Sequence, residues 1–526
     1  MKNFDVLKSM LSGAIVCVIV LVLTVFSTFK TGMTAVMDTV LLSIMFLAVF
    51  RGMTTKNVAL SDTFARASIS CVSTTAIYFA TVFIFHIVID LNTIIRFGAL
   101  IISSAILGIL FYSTISEYFS DDKYKFPQLT PRVVMISAAG NDLMRNLAII
   151  ASTLGAAFYS IPVNIVNLIP GQIQWVKNAM FSLDNSLLIV STGYFIGYDT
   201  YLKMGVGFIY SLLIYALFPS SDYASHIMNP FVYSVILGFS IMQGVITIYR
   251  SVKMWRRPSL GFAVNKLKIK RSSLIVIIIT FVLYGLFFLQ PINPQYSLPV
   301  WIFLLLIPIT IVSSMSTLVS VAETGFWFSP LEDILPIVII LLTQTTNITA
   351  IILVVTGLTA FEMAGIYYGI NYQVSRRFEL EKSALTFGSI ISNILGGFIC
   401  VGLVVLLAQG IGIGGQALPV PGAQVLGMTL EGLTAAFANF RLPDYLNIYV
   451  FLAACALCVA LRKTSLSPMV LLGGILLPFG SFLTIGIGAA ISFALRKRDK
   501  YDELFSGLAI GDGLVSAIAA LVSALS

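Results

Sequence analysis

Two short polar interruptions of hydrophobic sequence are the places where this chain could do chemistry. The first is Lys30-Thr31-Gly32, and a related one, Glu323-Thr324-Gly325, returns in the second half. A charged residue and a helix-weakening glycine are costly at membrane depth unless they line a cavity or a protein interface. Paired breaks in two halves of a carrier point to its substrate path. We therefore predict a two-part membrane carrier with both breaks near its working centre.

Carboxylates inside apolar runs are the candidates for ion coupling. Glu362 and Asp512 lead this group, and Asp142 is a further candidate. An embedded carboxylate suits proton coupling because burial disfavours its charged form. Two of them have a plainer alternative. Asp512 could lock helix packing with a hydrogen bond, and Asp142 could pair with Arg145 at the membrane interface.

A polar path for substrate is predicted after Glu362. Tyr367, Tyr368 and Asn371 follow it, and Tyr367 and Asn371 share one helix face. The alternative is interfacial aromatic anchoring, because two arginines follow closely. Asn141 and Lys30 are further candidates for the substrate path, and Lys30 could bind a substrate carboxylate.

Metal, redox and nucleotide chemistry are not expected. His86 and His226 have no Cys or His partner at ligand spacing, so we predict no metal site. The spacing of Cys455 and Cys458 lies within an apolar run and indicates packing. No Walker A sequence is present. We therefore expect no cofactor.

Composition places the chain in a membrane. Of its 526 residues, 58% are hydrophobic and 10% charged, whereas soluble domains carry about 25% charged residues. Mean hydropathy is +0.97. The net charge of +8 comes from basic residues in short loops, as cytoplasmic loops require. This excludes a soluble nucleic-acid-binding domain and predicts a multi-pass protein of the plasma membrane, surrounded by lipid, with a cytoplasmic N-terminus.

The predicted fold is an all-α polytopic membrane protein. We expect about 14–16 transmembrane helices in two related halves with Gly/Pro-broken helices. The N-terminal half covers residues 1–249, a basic cytoplasmic linker 250–271, and the C-terminal half 272–526. Residues 51–66 and 120–132 are predicted as polar cytoplasmic loops, with two prolines biasing the second away from helix. Residues 466–495 should form two short or broken helices, and residues 504–525 the last span.

At this point several stretches, in order, resemble the oligopeptide transporter family, which includes proton-coupled peptide carriers and yellow-stripe carriers of metal–chelator complexes. The first-half stretches are Gly32 in its Lys-Thr-Gly, Phe126-Pro127 with Ala138-Ala139-Gly140, Thr192 to Gly197, and Met204-Gly205. The second-half stretches are Glu323-Thr324-Gly325, Ala364-Gly365 to Arg376, Gln416 to Pro421 with Leu430-Glu431-Gly432, Leu477-Pro478, and Ser506 to Gly513.

The resemblance implies a carrier of small peptides or peptide-like chelates rather than an enzyme, and it covers nearly the whole chain. Two positions depart from the family pattern. Ile366 stands where the family usually has an acidic residue, and Asp512 stands where many members carry Glu. Either change could alter the coupling ion or the substrate.

The function predicted is therefore proton-coupled symport of oligopeptides by alternating access. The partners are a small peptide and protons, and a homodimer is compatible with the sequence. A carrier of metal–chelator complexes is the first alternative. An intramembrane lipid-modifying enzyme is a weaker one, because that class needs clustered acids such as DDxxD, and Asp121-Asp122 is followed by Lys123 without such a cluster. A channel or scaffold fits the broken helices less well.

Overall fold

The chain forms an all-α, multi-pass membrane protein. The computed structural model describes residues 3–31, 43, 54–84, 91–116, 119, 126–138, 143–166, 168–174, 182–220, 223–255, 300–324, 331–343, 347–410, 412–413, 420, 423, 426, 430, 434, 446–461, 464–495 and 501–525. Within these residues, seven helices are long and apolar enough to cross a membrane, and five shorter apolar helices accompany them. The total of 14–16 helices stays a prediction.

The described first half contains eleven helices, a π-helical turn, a 3-10 turn and one two-stranded hairpin. In chain order these are α1 (Asn3–Thr31), α2 (Thr55–Ala67), α3 (Ile69–Ser73), the π-helical turn (Thr74–Phe79), α4 (Ala80–Ile84), α5 (Leu91–Ile115), the 3-10 turn (Pro127–Leu129), α6 (Thr130–Ala138), α7 (Leu143–Asn164), β1 (Gln172–Gln174), β2 (Ser182–Asp184), α8 (Leu187–Ile196), α9 (Tyr198–Leu217), α10 (Tyr223–Ile227) and α11 (Pro230–Trp255). The two strands pair antiparallel, with Ile173 opposite Leu183.

The described second half contains eight helices. They are α12 (Val300–Thr324), α13 (Leu331–Thr343), α14 (Ile348–Arg377), α15 (Lys382–Gly410), α16 (Ile448–Leu461), α17 (Pro468–Leu476), α18 (Phe479–Ala494) and α19 (Asp502–Leu525). The domain boundaries at 249 and 271 stay predictions, and most of the proposed linker lies outside the described residues.

Helices α1 and α12 are described up to Thr31 and Thr324, the threonines of the two charged residue-Thr-Gly motifs, and the glycines that follow lie outside the described residues. The division of 466–495 into two helices is confirmed. Pro478 provides the physical reason, because a proline begins a helix well and cannot continue one.

The predicted loop over 51–66 is wrong from residue 55 onward. Thr54 caps a helix there by accepting a hydrogen bond from the Asn57 N–H, and α2, α3, the π-helical turn and α4 form one interrupted span from Thr55 to Ile84. Some 83% of the most apolar 18-residue stretch of this span is buried inside the protein. The polar residues that suggested a solvated loop face other helices, so they are core residues of the fold.

The predicted loop over 120–132 is also wrong in its described part. Phe126 has a left-handed conformation at φ 47°, a 3-10 turn follows, and α6 begins at Thr130. Pro131 lies in the first turn of α6, where a proline costs no helical hydrogen bond. Gly511 and Gly513 flank Asp512. Helix α19 runs through them without interruption.

The two halves pack against each other by reciprocal contacts of small residues. Helix α8 crosses α18 so closely that a Cβ on Gly193 would overlap the carbonyl oxygen of Ile485, and one on Gly488 would overlap that of Val190. Helix α9 crosses α17 in the same way, with Gly207 against Leu471 and Gly474 against Met204. Adding 281 to each residue number aligns residues 186–211 with 467–492, and under this alignment each α8–α18 contact falls on an α9–α17 contact with the two halves swapped. The alignment pairs identical residues at Ser186/Ser467, Gly193/Gly474, Leu202/Leu483, Gly205/Gly486, Gly207/Gly488 and Ser211/Ser492.

Two further glycine contacts between the neighbouring helices are related in the same way, with the two halves swapped. Gly511 of α19 packs on the Thr153 carbonyl of α7, and Gly238 of α11 packs on the Phe451 carbonyl of α16. Helices α7, α8, α9 and α11 therefore correspond to α16, α17, α18 and α19. Two halves that exchange contacts in this manner are related by a pseudo-two-fold axis.

Helices α5 and α14 approach each other equally closely. A Cβ on Gly108 of α5 would overlap the Phe361 carbonyl, and one on Gly365 of α14 would overlap the Tyr112 ring. The contacts advance together along both helices, so the helices run parallel.

Candidate functional site

Glu362 lies on α14 and is fully buried. Its Oε1 lies 3.2 Å from Thr317 Oγ1 and 3.5 Å from Ser313 Oγ, both on α12. Hydroxyl groups can stabilise a carboxylate in either protonation state, because each can donate or accept a hydrogen bond. Glu362 follows Phe361, which contacts Gly108 of α5.

Asp512 has the contacts of a helix cap. Its Oδ2 accepts hydrogen bonds from the Ser186 hydroxyl at 2.6 Å and from the Leu188 N–H at 2.8 Å, at the N-terminus of α8. Its Oδ1 accepts from Ser160 of α7. A carboxylate at a helix N-terminus satisfies free N–H groups and complements the helix dipole. This geometry favours the packing alternative for Asp512 over a role in ion coupling.

Glu323 and Thr324 end α12 in a partly buried environment. Glu323 Oε2 accepts a hydrogen bond from Ser467, the residue that precedes α17. Thr324 is buried, and its hydroxyl donates to the Ser320 carbonyl at 2.8 Å. Lys30 and Thr31 form the end of α1. The predicted site residues Gly32, Asn141, Asp142 and Gly325 lie outside the described residues.

Both charged residue-Thr-Gly breaks are held by the opposite half of the chain. The Val420 N–H donates to the Phe29 carbonyl at 2.8 Å, and the Phe126 N–H donates to the Ala322 carbonyl at 2.9 Å. Both donors have left-handed backbones, at φ 46° and 47°, and both precede a proline. Phe29 and Ala322 each come just before the charged residue of a break. We call Phe126 and Val420, each with the proline that follows it, the first and second proline corners. Each corner is therefore hydrogen-bonded to the break of the other half.

The polar residues after Glu362 are buried between helices. Tyr368 hydroxyl lies 2.9 Å from Thr386 Oγ1 on α15, and Tyr367 is 6% exposed. Asn371 is fully buried, and its Nδ2 donates to the Thr63 carbonyl of α2 at 3.2 Å. The interfacial anchoring alternative does not describe these positions, because all three side chains contact the protein interior. Asn371 faces the span from Thr55 to Ile84, and Tyr368 faces α15.

The interruption of that span is stabilised by side chains of α15. Helix α2 ends at Ala67, which leaves its last carbonyl groups without helical partners. Ser392 donates to the Phe64 carbonyl, and Asn393 Nδ2 donates to the Ala67 carbonyl at 3.0 Å. The π-helical turn follows six residues later, and such turns are frequent at functional sites. The sequence prediction missed this helical span, in which Ser68, between α2 and α3, keeps a right-handed helical backbone.

Sequence reasoning also missed a buried ion pair. Arg132 Nε of α6 contacts Asp62 Oδ2 of α2, and the side chains are 2% and 0% exposed. Both residues had been placed in solvated loops because other charged residues surround them. One signal could have found Asp62: no Gly or Pro occurs between Thr55 and Ile84, which is typical of a continuous helix rather than a loop.

The candidate site is therefore a buried path of polar side chains along α14, in which Glu362 faces α12, Tyr368 faces α15 and Asn371 faces α2. Nine residues of helix separate Glu362 from Asn371, or about 13.5 Å at 1.5 Å per residue, and at 3.6 residues per turn the two lie on opposite faces of α14. Within the described parts of the chain, no group of three or more His, Cys, Asp or Glu residues could hold a metal ion.

No protein-family model matches the chain, and no curated protein matches it in sequence.

Proposed function

We propose that this protein is a secondary active transporter of oligopeptides, driven by protons and working by alternating access. The observation that carries the proposal is Glu362, a buried carboxylate in the middle of α14 with hydroxyl groups of α12 beside it. An ionisable residue inside a membrane span is costly, and it marks a transport or proton pathway more often than a structural contact.

The architecture around Glu362 supports the same proposal. Alternating access requires two bundles that can move against each other around a central site, with discontinuous helices near that site. Helices α5 and α14 pack closely next to Glu362, and the span from Thr55 to Ile84 packs against α14. The breaks after Thr31 and Thr324 are each held by the other half, so a movement between the halves would act on both breaks.

The assignment to the oligopeptide transporter family belongs to this proposal and is supported by the ordered motifs in the sequence. The same proposal includes the plasma membrane, a cytoplasmic N-terminus and a carrier without a catalytic step. A peptide carries carboxylate, amine and amide groups, which match the hydroxyl, amide and charged side chains of the buried path.

Uptake by the purified protein tests the function. The protein would be reconstituted in proteoliposomes and given a labelled oligopeptide mixture, with and without an inward proton gradient. We expect uptake that requires the gradient and stops when a protonophore dissipates it. Equal uptake with and without the gradient would contradict proton coupling. If no peptide enters under either condition, the peptide proposal is wrong, and metal chelates become the next class to test.

A further inference from the structure

We propose that Asp62 and Arg132 bind the two charged ends of a short peptide, so that the transporter selects substrates with both termini free. This inference rests on the transport function proposed above and names the substrate class for the same buried path. In the structure the two side chains contact each other, and we assign that arrangement to the substrate-free state.

The pair lies where the interrupted span meets the first proline corner. Asp62 belongs to α2, the first segment of the span, and Arg132 to α6, which begins four residues after Phe126. Both side chains are at least nine-tenths buried. A buried ion pair stabilises a fold weakly, since the cost of removing both charges from water offsets their attraction. Its presence is better explained by a ligand than by stability.

The pseudo-symmetry of the molecule supplies an internal control. Phe126 corresponds to Val420, and Leu129 corresponds to Ala423, because each later residue donates its N–H to the carbonyl of the earlier one. Arg132 then corresponds to Leu426, which is 7% exposed. The second corner therefore forms with an apolar residue at the position of the arginine, and a charge is not needed to build it.

An additional polar group at the pair points to a ligand. Asn371 donates its Nδ2 to the carbonyl of Thr63, the residue after Asp62, and its buried Oδ1 has no hydrogen-bond partner among the described residues. A buried acceptor without a partner is costly, so such atoms call for an explanation. An ammonium group that contacts Asp62 would be near enough to this turn of α2 to donate to Asn371 as well.

Charge balance determines the class of substrate. A peptide with free ends brings one negative and one positive group, so its carboxylate can pair with Arg132 while its ammonium pairs with Asp62. Every buried charge then keeps a partner, and the net charge of the site does not change. A peptide blocked at one end would leave one buried charge without a partner, which is strongly unfavourable. No proton transfer and no covalent step is involved.

The experiment compares four forms of one short peptide, trialanine: free at both ends, N-acetylated, C-terminally amidated, and blocked at both ends. Each is tested as a competitor of labelled trialanine uptake by the full-length protein in proteoliposomes. We expect each singly blocked form to compete at least about tenfold more weakly than the free form, which corresponds to about 1.4 kcal/mol.

Variants assign each end to its residue. Arg132→Leu introduces leucine, the residue at the corresponding position 426 of the second half, and should abolish the preference for a free peptide carboxylate. Asp62→Asn should abolish the preference for a free peptide ammonium. Glu379→Gln is the matched control. It removes the Lys56–Glu379 pair, which joins the start of α2 to the end of α14 at 3.1 Å with both side chains exposed, and the four-peptide ranking should not change.

A single variant leaves one buried charge unpaired and could prevent folding, so the double variant Asp62→Asn/Arg132→Leu is made as well. It contains no unpaired charge, and we expect it to elute as a folded protein that ranks all four peptides alike. The inference is overturned if the wild-type protein takes blocked and free trialanine equally, or if the double variant keeps the wild-type ranking. Absence of all peptide uptake by the wild-type protein would instead overturn the proposed function.

Discussion

Gly193 of α8 contacts the carbonyl oxygen of Ile485 of α18 with no space for a Cβ between them. The same contact recurs, with the halves exchanged, between Gly474 and the Met204 carbonyl. Close approach of this kind is how membrane helices pack in the absence of a hydrophobic driving force between them. These two contacts therefore hold the halves together and define their relation.

Gly193→Ala should destabilise the protein by about 1–3 kcal/mol, because the added methyl forces the two backbones apart. The measurement is the thermal unfolding midpoint in detergent, followed by tryptophan fluorescence. Gly513→Ala is the control, since nothing lies within 4 Å of a Cβ at that position of α19. It should be neutral or slightly stabilising, as alanine favours a helix over glycine. Equal midpoints for the two variants would contradict the close approach at Gly193.

Glu362→Gln should abolish gradient-driven uptake while leaving the protein folded. Glutamine keeps the size of the side chain and its contacts with Thr317, but it cannot exchange a proton. We expect the gradient-dependent rate to fall at least about tenfold, an effect of 1.4 kcal/mol or more. Glu381→Gln, on the exposed turn between α14 and α15, is the matched control and should transport normally. Gradient-dependent uptake that survives in Glu362→Gln would move the coupling role to another acid.

Asp512→Ala should act on stability more than on coupling. The substitution removes the acceptor of Ser160, Ser186 and the Leu188 N–H, and loss of a helix cap with buried donors left unpaired costs about 2 kcal/mol. Asp199→Asn removes an exposed carboxylate paired with Lys203 one turn away, which contributes less than about 0.5 kcal/mol. A folded Asp512→Ala protein with normal stability and no coupling would reverse our assignment of this residue.

His226 should make stability depend on pH. It lies on α10, outside the membrane spans, fully buried beside Tyr215 and Phe479, with Nε2 2.8 Å from Ser211 Oγ. Burial lowers the pKa of His226 below its ordinary value of 6.5. Below pH 6.5 the unfolded chain then binds this proton more readily than the folded protein does, so stability falls as pH falls.

The test is the unfolding midpoint of the wild-type protein and of His226→Gln between pH 7.5 and 5, a range that brackets the ordinary histidine pKa. The wild-type midpoint should decrease on acidification through this range, and the decrease should be smaller in His226→Gln. Parallel curves for the two proteins would show that other groups cause the dependence.

The amino-acid sequence by itself determined the class of the protein and the break between α17 and α18. Long apolar runs require a membrane. The break before α18 follows from Pro478. The burial of Glu362 was also predictable, because hydrophobic residues surround it on both sides. These features depend on residues that are neighbours in sequence.

Only the tertiary structure decided which charges are buried and what they contact. Asp62 and Arg132 lie among other charged residues, which is the usual signature of a solvated loop, and their burial depends on partners 70 positions apart. The cap formed by Asp512 on α8 joins residues from opposite halves. The hydrogen bonds from Phe126 to Ala322 and from Val420 to Phe29 also join opposite halves. Such contacts depend on how helices pack, and the pattern of residues along one segment does not contain that information.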